Sequence, residues 1–222
     1  MDQVKRAQTE SILAKIQNLP MIPKVMFEVT RFLQAPGATT SGLAKIIGKD
    51  QGLTTKILSI ANSPLYGLQR KVTTLEFAII VLGFKEISDI VTAISLANTI
   101  KVVTDKDFDQ NDFWVHSMVV GSAAKNISQN LGHLDIGSDA FVAGTLHELG
   151  IQLLHNFLHP QYIEIYNKAQ NKTSTFFAAE EEVLGLTHQD VGKFLSEKWD
   201  LPAVLCDILQ NHHTPSQAKE NK

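Results

Sequence analysis

With 222 residues, 44% of them hydrophobic and 19% charged, the chain can bury a substantial core and carries too little charge to stay disordered. A formal net charge of -3 offers no general excess of cations for phosphate, so direct DNA binding is not expected. The longest apolar runs, such as 77–82, fall far short of the roughly 20 residues that a membrane span requires.

The N-terminal MDQVKRAQTE leads into a helical pattern and not into a signal-peptide apolar region, so the expected location is cytoplasmic. Apolar residues then recur at spacings of three and four almost throughout, while strict alternation is scarce; the pattern predicts an all-α chain of about eleven helices. The first covers roughly 2–17 and stops at Asn18-Leu19-Pro20. The second begins at Pro23 and ends before Pro36-Gly37. Thr40 is expected to cap a short helix through Ile47, and Asp50 the next, which runs through Leu53, Ile57 and Ile60 to the turn Asn62-Ser63-Pro64. That turn either positions two helices or offers a docking surface.

Thr74 can cap Leu75–Leu82, with Gly83 as a left-handed terminator, and 85–100 carries the stripe Ile87, Ile90, Val91, Ile94 and Leu96. The acidic stretch Thr104 to Asp112 is the expected lobe boundary. It divides one domain, 1–222, into an N-terminal lobe (about 1–103), a second lobe (about 110–213) and a polar, frayed tail (214–222). Helices follow over about 113–131, 138–157, after Pro160, 176–184, 188–199 and 203–213. The single cysteine, Cys206, excludes an internal disulfide and, beside Leu205 and Ile208, reads as a small buried apolar side chain.

Histidines concentrate in the second half. His147-Glu148 heads the run HELGI, but position 151 is Ile, so the chain lacks the second histidine that a zinc protease needs one turn on. Ala143, Gly144 and Gly150 leave room near His147 either for a ligand or for a closely packed helix. His155 and His159 either chelate across one turn or exploit a helix C-terminus, and His133 belongs to a loop.

The order of His116 in FWVHS, His147-Glu148, His188 in LTHQDVG and the pair His212-His213 resembles the HD superfamily of metal-dependent phosphohydrolases. The segments LPMIPKV (19–25), KDQGLTTKILSIANSPLYG (49–67) and TTLEFAIIVLGFKEI (73–87) resemble the characteristic lobe of HDOD domains, the HD-related output domains of bacterial signalling proteins. The resemblance implies an N-terminal helical lobe packed on an HD-like helical bundle. It also implies a vestigial metal site at His116, His147, Glu148, His188, His212 and His213. Glu148 stands where the superfamily has Asp, about 1.5 Å longer in reach, and the only carboxylate after His213 is Glu220. Gln152 replaces a lysine that could meet phosphate, and Thr214-Pro215-Ser216 occupies the place of the Gly-Tyr-Pro element of cyclic-di-GMP phosphodiesterases.

These departures point to a non-catalytic regulatory module, with no catalytic residue assigned and no cofactor expected, acting through signalling proteins or a bound ligand such as a nucleotide or cyclic dinucleotide. The alternative is a metal-dependent phosphohydrolase using manganese, iron or zinc held by those six residues.

Overall fold

The structure, a computed structural model, describes residues 3–16, 23–100 and 108–218. The stop at 18–20, the start of LPMIPKV, the first part of the acidic stretch (104–107), and Glu220 lie outside the described residues. Those residues form thirteen α-helices, two 3-10 turns and no strand. None of the helices is long and apolar enough to cross a membrane.

The helices are α1 (Gln3–Ala14), α2 (Lys24–Gln34), α3 (Thr40–Ile47), α4 (Gln51–Ala61), α5 (Leu75–Leu82), α6 (Phe84–Ala97) and α7 (Gln110–Asn130). They continue with α8 (Gly137–Leu146), α9 (Leu149–Phe157), α10 (His159–Gln170), α11 (Phe176–Leu184), α12 (His188–Lys198) and α13 (Ala203–Asn211). Packing sorts them into two compact units, the chain crossing from one to the other after residues 21, 99, 120 and 142.

One unit holds α2 to α6 with residues 121–142. Leu43, Ile47, Ile57, Ile87, Ile90 and Ile94 are fully buried there, each contributing about 1.5–3 kcal/mol relative to exposure. Side-chain caps set the helix starts: Asp50 accepts from the Leu53 amide at 2.9 Å and Thr74 from that of Phe77 at 3.2 Å, each worth about 1 kcal/mol. The third cap is Thr39, one residue before the expected Thr40, accepting from Gly42 at 3.1 Å. Gly83, at φ +86, ends α5 and opens α6 at once, a conformation that side chains with a Cβ rarely adopt. Asn62 works as a clamp: its amide donates to the carbonyls of Leu58 (2.7 Å) and Val72 (2.8 Å), and its oxygen accepts from the Val72 amide (2.8 Å). Tyr66 in the same turn donates to Glu86, which is ion-paired with Lys125.

The other unit holds α1, residues 108–120 and residues 143–218. Leu146, Leu149, Leu153, Ile165, Leu195 and Leu209 form its core. α12 packs against α9 and α13, and α10 against α11. α1 lies on α11 and closes its C-terminal end: Lys5 donates to the Glu182 carbonyl (2.7 Å) and Thr9 to that of Leu184 (2.9 Å), so orphan carbonyls gain partners. His155 lies between Phe108 and Tyr162, its ring centroid 4.8 Å from the tilted Phe108 ring and 4.9 Å from the edge-on Tyr162 ring, which places it in an aromatic core.

The single helix expected over 138–157 is two, α8 and α9, interrupted at His147-Glu148. Glu148 sits at φ -93, ψ 12, the bridge region between helical and extended backbone. A Cβ on Gly150 would collide with the carbonyl of His188, so the glycine admits α12 at this point; of the two readings of Gly150, helix packing is the one observed. Residues 215–217 form a 3-10 turn against α13 where a frayed tail was expected. Cys206 is half-buried, its Sγ 3.6 Å from the Leu201 carbonyl oxygen.

Candidate metal centre

Four places in the second unit converge on one cluster. α7 supplies His116, the break between α8 and α9 supplies His147 and Glu148, the start of α12 supplies His188, and the residues closing α13 supply His212 and His213. Each position follows from local chemistry. Asp190 accepts from the Thr187 backbone amide at 3.0 Å and fixes the first turn of α12, so His188 enters the helix at a defined angle. Arg6 of α1 holds that Asp190 at 3.2 Å. All six residues singled out from the sequence come together, in two overlapping groups whose ligand atoms lie within 4.8 Å of one another: Glu148, His188, His212 and His213, and His116, His147 and Glu148.

Glu148 joins the groups. Its Oε1 is 3.8 Å from His147 Nε2 and its Oε2 3.2 Å from His188 Nε2. The longer reach of Glu148 is accommodated at the break between α8 and α9, from which its carboxylate turns into the cluster. Burial is graded, from His188 at 2% exposure to the open rings of His116 and His213.

The hydrogen bonds fix which nitrogens face inward. His147 Nδ1 lies 2.7 Å from the Gly144 carbonyl and His212 Nδ1 2.9 Å from that of Leu209. A carbonyl only accepts, so both Nδ1 atoms carry protons and, in the neutral rings, both Nε2 atoms present bare lone pairs. These point at other nitrogens: His147 Nε2 is 3.4 Å from His116 Nε2, and His212 Nε2 and His213 Nε2 are each 3.1 Å from His188 Nε2. Burial, with the charges of His188, His213 and His147, pushes His212 down to about 3. Burial likewise lowers His147 and His213. Burial also works against His188, yet the hydrogen bond and charge of Glu180, with Glu148 and Asp190, hold it above the usual histidine range.

Around His188 Nε2 the acceptors outnumber the protons. The two neighbouring imidazole nitrogens and Glu148 Oε2 all lie within 3.2 Å, one N–H serves one acceptor well, and buried Glu148 Oε2 lacks a well-formed hydrogen bond. Nitrogens 3.1–3.4 Å apart match the edges of a tetrahedron with metal–nitrogen bonds of about 2.0–2.1 Å. The partial His/Glu cluster therefore fits a divalent metal.

Glu180 escaped the sequence reading. It is fully buried on α11, and its Oε2 accepts from both the backbone amide (3.1 Å) and Nδ1 (2.7 Å) of His188. The signal was present: Glu180 stands four residues from Leu184 on the buried face of α11, whereas acidic side chains normally take the opposite face. Gln152, at the position expected to meet phosphate, is buried at 3% exposure.

The HDOD domain profile matches residues 19–215. An HDOD domain protein of unknown function from Geobacter sulfurreducens superposes with a TM-score of 0.78 at 25% identity, over 98% of this chain and 72% of that one. A candidate phosphohydrolase from Shewanella amazonensis SB2B (TM-score 0.73, 24% identity, 94% and 73% coverage) shares the fold. So does a candidate signal transduction protein from Marinobacter aquaeolei VT8 (0.72, 20%, 96% and 51%). An uncharacterized protein of Treponema pallidum (strain Nichols) is 20% identical over 211 residues, 95% of this chain, and the chain spans 40% of that relative's length. With a profile match running from before α2 to the turn after α13, on a helical fold common to these structures, the chain belongs to the HDOD domain family.

Proposed function

We propose that the chain is a signal-transduction module whose histidine centre holds one divalent transition-metal ion, and that its output is contact with a partner protein or a bound nucleotide-type ligand, in the cytoplasm, without phosphoester turnover. The observation that carries the metal is the crowding of His212 Nε2, His213 Nε2 and Glu148 Oε2 around His188 Nε2, all within 3.2 Å. Imidazole-rich sets suit zinc or iron better than magnesium or calcium, which prefer oxygen. Bound there, the ion supplies Lewis acidity and positive charge. Against turnover stand a ligand set with one carboxylate and a buried Gln152 where a phosphate-facing cation was sought.

A second reading, a metal-dependent phosphohydrolase, is favoured by the exposed rings of His116 and His213 at the rim of the cluster, because catalytic sites keep an open position. One experiment separates the readings. After reconstitution with zinc, iron(II) or manganese(II) and removal of excess, the protein should retain about one equivalent of metal and leave phosphomonoesters and cyclic dinucleotides uncleaved. Sub-stoichiometric metal with all three ions rejects the centre; turnover that is lost in His188→Ala rejects the non-catalytic role.

A further inference from the structure

We propose that Glu180 supplies the second negative charge of the metal centre, acting through His188 as a positioning residue and not as a ligand. The inference rests on the metal-binding reading above. Glu148 is the single carboxylate in the two ligand groups, and the other five residues are imidazoles. A divalent ion among them would keep a net charge of +1, in a place where His188 is 2% exposed and uncompensated charge is costly.

Glu180 stands directly behind that ring. Its side chain is wholly buried, its Oε2 takes both N–H groups of His188, and its ion-pair partner among the described residues is His188 alone. Helix packing does not call for this carboxylate: α11 buries Ala179 and Leu184 on either side of it, and an apolar residue would avoid the desolvation cost. Nor is it needed merely to select a tautomer. His147 and His212 have theirs fixed by the neutral carbonyls of Gly144 and Leu209. What a carboxylate adds to a carbonyl is charge: it makes Nε2 a stronger donor and offsets the ion's second charge, as in carboxylate–histidine–metal relays generally. Glu180 thus adds from α11 a negative charge that the six ligand-group residues do not supply.

The test is a zinc titration of the purified protein against a chromophoric chelator, with cobalt(II) absorption as a second readout. Glu180→Gln keeps an oxygen for the His188 N–H groups and removes only the charge; zinc affinity should fall about tenfold, with the cobalt spectrum shifted and thermal unfolding of the ion-free protein nearly unchanged. Glu180→Asp, which keeps the charge but withdraws it, should fall between wild type and Gln. Wild-type zinc affinity in Glu180→Gln overturns the inference and leaves the metal centre standing, whereas absence of zinc and cobalt binding by wild type overturns both. Should the Gln variant fail to fold, 15N shifts of zinc-loaded wild type decide: a proton on His188 Nδ1 with zinc on Nε2 supports the role, and zinc on Nδ1 overturns it.

Discussion

In the unit built on α2 to α6, buried charge is matched by the protein itself: Glu86 is paired with Lys125 and also accepts from Tyr66, with the two charged side chains 12% and 17% exposed. In the unit carrying α12, His188 is flanked by two imidazole nitrogens and a carboxylate oxygen within 3.2 Å, with too few protons to go round. The first network is complete as folded, whereas the second leaves acceptors without protons, which is where the proposed cation would sit. Polar burial on its own therefore does not mark a functional site; an imbalance between donors and acceptors does.

Substitutions at the two networks should diverge. His188→Ala is expected to have the largest effect: it strands the buried carboxylate of Glu180, at a cost of about 3–5 kcal/mol, and weakens zinc binding by more than about a hundredfold. Chemical denaturation and chelator competition measure the two losses. Lys125→Met strands Glu86 and should cost somewhat less, because those side chains keep partial exposure and Tyr66 remains as a donor. Its zinc affinity should equal that of wild type, and a loss there would erase the contrast between the networks.

Acid sharpens the comparison further. His212 is held near 3 against an ordinary 6.5, so the native state binds fewer protons than the unfolded chain as pH falls from 6.5 towards 3. His212 therefore subtracts stability on acidification, by at most about 1.4 kcal/mol per pH unit. Denaturation of ion-free protein between pH 7 and 4 should show a shallower slope in His212→Gln, and an unchanged slope would refute the assignment. At the alkaline end, burial and then the charge of Asp89 raise Tyr66 from 10.0 to about 12. Its contribution is complete below pH 10 and disappears between about 10 and 12, where the unfolded phenol ionises first. Ultraviolet titration should find Tyr66 ionising late, as a component that Tyr66→Phe removes.

Much of this was visible in the sequence. The helical period, the caps at Asp50 and Thr74, and the order of the histidines are local or ordered signals, and they led to an all-α fold and to six residues that the structure draws together. What stayed hidden depends on tertiary contact. No proline marks the break at His147-Glu148, and the residue that accommodates it, Gly150, shows its purpose only when the His188 carbonyl arrives from α12. The chain's crossings after 120 and 142 fall inside α7 and α8, where composition does not change. Glu180 was masked by its neighbours, since in Glu180-Glu181-Glu182 the eye sees a solvated run while the helical phase buries the first member.

Gly150 carries the last consequence. Because it lets the backbone of α12 rest against that of α9, the gap between the residue bearing the carboxylate and the residue bearing the innermost ring is gauged by main chain, not by side chains. Ligands at the rim can then be exchanged without resizing the cradle, whereas a single methyl group at position 150 would prise its two walls apart.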